Sequence, residues 1–354
     1  MKQETILIFI TGGVGGAERV TLTIAKLLDT SMYDVKLVVT DFPTCHLSPF
    51  IPNSIETTFL NESHFRPSTF WKSLKLIKKE RPKFVFASIT PLCILLVICC
   101  RLFCPTVKVI VRGQINPSHW NMRDFIPRMA KLTYKHAYKV VAQTPMMRQE
   151  MIDILGIKSE KVVLLYNPID TKTIEEKILE ANPFIDVNGF KYVAVGRCAH
   201  QKGYDLLLHA FKKVLDVKKN SHLYIIGGES DDEYCQSLHK IVKDYGIDSN
   251  VHFEGFSTNP YKYIKNADCY VLSSRDEGLP NVLIESTYLH KQAVAYTCIP
   301  IIKEIIQEGV NGFLVEPENV DKLAEAMIKI HGMNLNVASK YQPSTPESYN
   351  NLFT

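Results

Sequence analysis

Short, almost wholly apolar runs alternate along the chain with stretches whose apolar positions recur at helical spacing. In the first half ILIFI (6–10), DVKLVVT (34–40), KFVFAS (83–88), KVIVRG (108–113), KVVAQ (139–143) and VVLLY (162–166) read as strands. Apolar character on both alternating faces means burial on both sides, which is how strands of parallel sheets read. Helical patterns lie between them at 18–28, 69–80, 92–103, 125–138 and 145–155. The rhythm breaks at YNPIDTKTIEEKILEANPFIDVNG (166–189), where Pro168, Pro183 and Gly189 stand among polar residues, and a linker is expected there. It then restarts with strands KYVAVG, HLYIIGG, VHFEGF, CYVLSS, AVAYTC and GFLVEP. The helical patterns between and after them fall at 204–218, 234–245, 260–266, 281–290, 301–308 and 320–330. Repeated β-α alternation predicts two doubly wound α/β domains with parallel sheets. The expected boundaries are 1–168, a linker at 169–190, a second domain at 191–332, and a polar tail at 333–354 that either frays or packs back on a domain.

A length of 354 residues supports two domains, and 46% hydrophobic with 22% charged residues is globular rather than disordered. The net charge of +4 is unevenly divided. Up to Asp170 there are 22 Lys and Arg against 13 Asp and Glu, and beyond it 19 against 24. A basic first half is either a solvated surface or a face for an anionic partner, such as a phosphate-bearing substrate or an anionic membrane. Nine cysteines without a paired spacing point to a reducing compartment. Cys93, Cys99, Cys100 and Cys104 lie among Leu, Ile, Val and Phe and read as inert core thiols. The opening MKQETILIFITGG has an apolar run too short for a signal peptide, and the longest one, 92–100, falls short of the roughly 20 residues of a membrane span. A cytoplasmic protein is expected, either free or touching the inner face of a membrane. FWKSLKLIKKERPK (70–83) sets Phe70, Trp71, Leu74 and Ile77 at helical spacing among lysines. It fits a core-facing helix with a basic outer face, or a helix lying on a membrane.

Three stretches carry candidate chemistry. TGGVGGAERV (11–20) puts four glycines between a strand and a helix, where backbone can approach a phosphate or sugar closely, or simply turn. It is not a GxGxxG sequence, and no acidic residue ends the second strand before Asp41, which weakens a nicotinamide reading. GRCAHQKGYD (196–205) follows the first strand of the second half. Arg197 and Lys202 there suit a diphosphate, Arg as a planar fork and Lys as a point charge, unless both are surface decoration. RDEGLPNVLIES (275–286) reads as loop then helix, with Pro280 in the first turn. The amides of Asn281, Val282 and Leu283 form an anion site. Glu285, one turn in, leans towards the helix start and can accept from two ribose hydroxyls, while Glu277 can take hydroxyls on the far side of the phosphates. Otherwise Glu277 is a helix-dipole partner and Glu285 a salt-bridge residue. Asp231-Asp232-Glu233 is the nearest approach to a metal motif and reads as solvated helix-start charge.

The pattern resembles retaining glycosyltransferases of family 4 (glycosyl transferases group 1), which have the GT-B fold: two Rossmann-like domains facing an interdomain cleft. The resemblance rests on Glu277 and Glu285 as an E-x7-E pair around GLPNVLIES, on VGRCAHQKGYDLLLHAF, LYIIGGE, VHFEGF, NGFLVEPEN and VVLLYNPID, and on the N-terminal GGAERV. It implies a retaining, metal-independent transfer of a hexose or N-acetylhexosamine from a nucleotide-sugar, such as a UDP-sugar, to a saccharide or lipid-linked saccharide. It implies no cofactor and no nucleic acid, and a role in surface glycan synthesis; the basic first half fits docking of such an enzyme at an anionic membrane. Arg197, Lys202 and Glu277 would be catalytic. The donor would lie against Gly15, Gly16, Arg197, Lys202, Glu277, Gly278, Leu279, Pro280, Asn281, Val282 and Glu285, and the ESYNNLF tail would cross back to the first domain. The first domain departs from the family after KVIVRG. Gln114 and Asn116 stand where many relatives have a His or an acid, so no base is assigned, and Arg112 and His119 are kept as acceptor candidates. A nucleotide-sugar epimerase of GT-B-like shape and an inactive binding subunit are the rival readings.

Overall fold

The protein, seen in a computed structural model that describes residues 3–62, 66–228, 233–333, 335, 339 and 341–354, divides into two compact units. Unit 1 comprises Met1–Ile169 and Pro343–Thr354, and unit 2 comprises Asp170–Gln342.

Unit 1 runs β1 (Glu4–Ile10), α1 (Gly16–Leu27), β2 (Tyr33–Val39), β3 (Glu56–Phe59), α2 (Pro67–Glu80), β4 (Phe84–Ala87), α3 (Thr90–Phe103), β5 (Lys108–Arg112), α4 (Phe125–Tyr134), β6 (Lys139–Ala142), α5 (Pro145–Asp153) and β7 (Val162–Leu164). Its seven strands form a parallel sheet in the order β3-β2-β1-β4-β5-β6-β7. Buried residues of β1 and β4 alternate between the two faces. Leu7, Phe9, Val85 and Ala87 meet Leu74 and Ile77 of α2, most of α3, and Ala130 and Tyr134 of α4. Ile6, Ile8, Ile10, Phe84 and Phe86 face Val20, Leu22 and Ile24 of α1.

Unit 2 continues with α6 (Thr171–Lys177), β8 (Phe190–Val195), α7 (Tyr204–Val217), β9 (Ser221–Ile226), α8 (Glu233–Tyr245), β10 (Val251–Gly255), α9 (Tyr261–Asn266), β11 (Cys269–Leu272), α10 (Asn281–Tyr288), β12 (Ala293–Tyr296), α11 (Ile302–Ile305), β13 (Gly312–Val315) and α12 (Val320–Lys329). The six strands are parallel in the order β10-β9-β8-β11-β12-β13. Both sheets therefore reverse direction of growth beside their first strand, at β1/β4 and at β8/β11. In open α/β sheets that reversal opens a crevice at the carboxyl ends of the strands.

Four differences from the pattern have physical causes. β3 is a polar edge strand, ETTF, paired on one side only, so it lacks the apolar signature of a central strand. The 169–190 stretch opens on a helix, because the Asp170 carboxylate caps it by accepting from the Thr173 amide at 3.1 Å. α4 stops at Tyr134, where His136 and Ala137 turn back on Thr133 and Tyr134. α11 is four residues long, not eight. The Asn311 side chain accepts from the Gln307 amide and donates to the Ile305 carbonyl, and Gly309 turns with φ +73°.

The tail returns to unit 1 through α13 (Pro346–Asn350), started by Pro346 and capped by Thr345. Tyr349, Leu352 and Phe353 are buried against β1, β4 and α1. The Phe353 ring packs edge-on to Phe84 at 5.6 Å, and the Tyr349 hydroxyl donates to the Tyr166 carbonyl at 2.8 Å.

Candidate functional site

In unit 2 the loops after β8 and β11 lie side by side, because those strands are neighbours at the reversal point. The first loop leaves the sheet at Gly196, whose amide continues the ladder to Ile226 at 2.9 Å. A Cβ on Gly227 would sit 1.7 Å from the Gly196 carbonyl oxygen. The chain then makes a short turn over His200–Lys202 and enters α7 through Gly203 at φ +62°. A Cβ at Gly203 would lie 2.1 Å from the Ser273 carbonyl oxygen, so both its conformation and its surroundings demand glycine.

The second loop is laced to the first. Ser273 Oγ donates to the Lys202 carbonyl at 2.9 Å, the Arg275 amide to the Gln201 carbonyl at 2.8 Å, and Gln201 Nε2 to the Asp276 carbonyl at 2.9 Å. Arg275 grips Asp205 with two parallel bonds of 2.8 and 2.6 Å and donates to the His200 carbonyl. Tyr234 also donates to Asp205, at 2.8 Å. Burial pushes the Asp205 carboxyl up, but bonds from Arg275 and Tyr234 outweigh it and hold the group below its ordinary value. Burial and the bond to Asp205 push the Tyr234 phenol up to about 12.

On this platform Lys202 Nζ meets Glu277 Oε1 at 2.7 Å, and Ser274 Oγ donates to the same oxygen at 2.7 Å. Glu277 is buried, with 9% of its side chain exposed against 23% for Lys202. The lysine stem passes over Gly196, since a Cβ there would be 2.9 Å from Lys202 Cε. Arg197 stands exposed at the head of the same loop. Cys298, after β12, lies beside this carboxylate; burial first, then Glu277 and Asp276, push its thiol up to about 12.

α10 starts at Asn281, as the 281–290 pattern suggests. Pro280 is the capping residue rather than part of the first turn, and the Asn281 amide donates to the Leu279 carbonyl at 2.9 Å. The open end of the helix is therefore made by the Val282 and Leu283 amides, not by three successive ones. Gly278, Leu279 and Pro280 form the turn between Glu277 and the helix. Glu285, half-buried, accepts from the Tyr261 hydroxyl at 3.1 Å. The buried Tyr270 phenol of β11 is pushed far up by burial, and Glu277 and Glu285 both add to that shift.

The remaining sequence candidates belong to unit 1. Gly15 caps α1 and Gly16 opens it. Intramolecular crowding accounts for two of the glycines: a Cβ at Gly12 would lie 2.5 Å from Asp41, and one at Gly15 would lie 2.8 Å from Glu18 Oε2. Glu18 already occupies the first turn of α1 and accepts from Thr11 Oγ1 at 2.6 Å. Arg112 ends β5 fully buried and donates to Asn167 Oδ1; burial pulls its guanidinium below its ordinary value. His119 is exposed at the end of a short turn over Pro117–His119. Asp231 and Asp232 lie outside the described residues, and among those residues no cluster of three His, Cys, Asp or Glu is placed to hold a metal.

Sequence reasoning missed Ser274, Tyr261, Cys298 and the Arg275–Asp205 clamp. The clamp was half visible, as an Arg before Asp276 and Glu277 and an Asp after Gly203. Its partners are 70 residues apart, a pairing that no local pattern reveals.

A parallel sheet with a lysine, an arginine and the amide end of a helix at its reversal point is the layout of a Rossmann-type ligand-binding domain, and this chain joins it to a second parallel α/β domain, the architecture of the GT-B fold. The chain belongs to the glycosyl transferases group 1/family 4: the Glycosyltransferase Family 4 pattern matches residues 14–173 and the Glycosyl transferases group 1 pattern matches 175–341. Among similar proteins is an uncharacterized glycosyltransferase of Methanocaldococcus jannaschii, 27% identical over 68% of this chain and 62% of its own length. Another is the N-acetylgalactosamine-N,N'-diacetylbacillosaminyl-diphospho-undecaprenol 4-alpha-N-acetylgalactosaminyltransferase of Campylobacter jejuni, 26% identical over 92% of this chain and 89% of its own. Among solved structures, Anabaena HepE in complex with UDP-glucose shares the fold with a TM-score of 0.80, at 18% identity, over 99% of this chain and 98% of that one.

Proposed function

We propose that the protein is a retaining, metal-independent glycosyltransferase that moves a hexose or N-acetylhexosamine from a UDP-sugar to a saccharide carried on a lipid diphosphate, in the synthesis of a surface glycan. The observation that carries this reading is Lys202 held against the buried Glu277 at the reversal point of unit 2, with Arg197 on the same loop. The Campylobacter jejuni relative is named for a diphospho-undecaprenol-linked acceptor, and the HepE structure holds UDP-glucose.

The chemistry follows from the ion pair. A donor diphosphate brings two negative charges to Lys202, Arg197 and the amides of Val282 and Leu283. Lys202 turns to the phosphate, and Glu277 is released to accept hydroxyls of the sugar. As the glycosidic bond breaks, charge grows on the leaving phosphate oxygen, where preorganised cations stabilise it most. That oxygen takes the acceptor proton on the face it leaves, which gives retention without a protein base. Glu285, held by Tyr261, accepts from the ribose hydroxyls. Acceptor recognition is assigned to unit 1.

Unit 1 also carries a face suited to the anionic membrane in which such an acceptor resides. Leu74 and Ile77 of α2 point into the core, while Trp71 is 61% exposed and forms a ring cluster with Phe70 and Phe103. Lys75, Lys78 and Lys79 are exposed on the same helix, with Lys78 Nζ 5.8 Å from the centre of the Phe103 ring. Aromatic rings amid lysines suit a headgroup layer. No helix among the described residues is long and apolar enough to cross a membrane.

The test is incubation with a panel of UDP-sugars, with and without a polyprenyl-diphosphate saccharide, in EDTA, with the anomeric configuration of the product read by NMR. Acceptor-dependent transfer with retention is expected. Turnover without acceptor identifies an epimerase, and no turnover with any donor identifies a binding subunit; either overturns the proposal.

A further inference from the structure

We propose that Cys198 and Cys235 form a reversible disulfide that stiffens the loop carrying Arg197. The two come from different connections of unit 2, 37 residues apart, and are bonded in the structure with a Cα separation of 5.9 Å, inside the range a disulfide spans. The other seven cysteines are free. Four of them are buried in helix or strand cores.

The loop explains why a bond here has an effect. Its far end is fixed by Gly203 against Ser273, by Gln201 against Asp276 and by the Arg275–His200 contact. Its near end is held by two backbone bonds, Gly196 to Ile226 and Cys198 to Gly228. A covalent tie from Cys198 to α8 closes that end, one residue from Arg197. The reduced loop has more conformations to lose when a ligand orders it.

The chemistry is thiol–disulfide exchange with a small disulfide of the glutathione class. Cys198 is half-buried, whereas Cys235 is 3% exposed, so Cys198 meets the reagent. The Cys198 thiolate attacks one sulfur of the small disulfide, whose S–S bond breaks and releases one thiolate. Cys235, in the first turn of α8, attacks Cys198 Sγ of the mixed disulfide and releases the second thiolate. Two protein thiols lose two protons and two electrons, and the small disulfide leaves as two thiols. In a reducing compartment such bonds are transient and regulatory.

The test equilibrates the full chain in glutathione buffers of defined ratio, alkylates the remaining thiols and maps peptides by mass. Amide exchange of 196–203 is measured in parallel. A Cys198–Cys235 cross-link reversed by dithiothreitol is expected, with slower exchange in the oxidised form and no redox response in Cys235→Ser or Cys198→Ser. Alkylation of both thiols in the most oxidising buffer, or exchange rates unchanged by the cross-link, overturns the proposal. Where Arg197 binds a donor diphosphate, which rests on the proposed function, UDP should bind about two- to ten-fold tighter to the oxidised wild type. Failure of UDP to bind either form refutes that function but leaves the cross-link and exchange readouts decisive for the disulfide.

Discussion

Lys202 and Glu277 show how much one contact can decide. Truncating Lys202 leaves the buried Glu277 carboxylate bonded to Ser274, and deprives the leaving group of one of its two cations. Lys202→Ala should lower turnover roughly 100-fold, as loss of a charged bond worth about 1.5–3 kcal/mol in the transition state would, with a smaller change in donor affinity. Glu285→Ala should show the opposite split, a UDP affinity about ten-fold weaker and a modest loss of turnover. Steady-state kinetics beside UDP titration separates the two, and wild-type values in both variants would remove these residues from the site. Gly203 offers a test of architecture alone. Gly203→Ala puts a Cβ 2.1 Å from Ser273 O on a backbone at φ +62°. It should destabilise unit 2 by at least about 1–3 kcal/mol, seen as a lowered unfolding midpoint in urea. An unchanged midpoint would mean the two loops are not laced as described.

At the level of elements, the tail is a structural member of unit 1. Phe353 is fully buried between β1, β4 and α1, with Phe84 and Phe86 against its ring. Phe353→Ala should cost about 3–5 kcal/mol, and a chain ending at Gln342 should lose cooperative unfolding of unit 1 while unit 2 keeps its own transition; calorimetry resolves the two. A second element-level effect is pH dependence. His331, stacked on Phe190 beneath α12, is held down to about 4 by burial, and burial also lowers His222 and His252 on β9 and β10. Neutral imidazoles fit the folded unit, and the unfolded chain binds their protons from about pH 6.5 downward. The unfolded state therefore holds more protons between about 6.5 and 4, so stability is full above that window and falls as pH falls through it. The urea midpoint of unit 2 should decline over this range, and His331→Phe should flatten the decline.

For the whole molecule, charge and exposed rings point the same way. Unit 1 should sediment with vesicles containing anionic phospholipid and not with neutral ones, and replacing Trp71 with Ser together with Lys75 and Lys79 with Glu should weaken that binding at least ten-fold, since each basic residue near the surface contributes about 1 kcal/mol. Equal binding to both vesicle types would dismiss the electrostatic face. How much was legible beforehand depended on range. Central strands such as VVLLY and CYVLSS announce themselves because burial on both faces leaves only apolar choices, and the glycines at 196 and 203 mark loops that approach other backbone. The edge strand ETTF has one pairing partner and needs no such signature. The Lys202–Glu277 bond, the Arg275–Asp205 clamp and the Cys198–Cys235 pair all join residues from separate connections, and only the completed sheet order brings them together.

The return of the last residues to the first unit sets an order of assembly. A chain emerging from the ribosome presents every strand of unit 1 before any of unit 2, yet the rings that finish its interior are translated after unit 2. Unit 2 has its whole sequence available while unit 1 still lacks Tyr349, Leu352 and Phe353. The earlier-made half must therefore wait, with apolar surface open, until the segment beyond unit 2 emerges, and a message cut short before that segment yields a protein whose damage lies in the half made first.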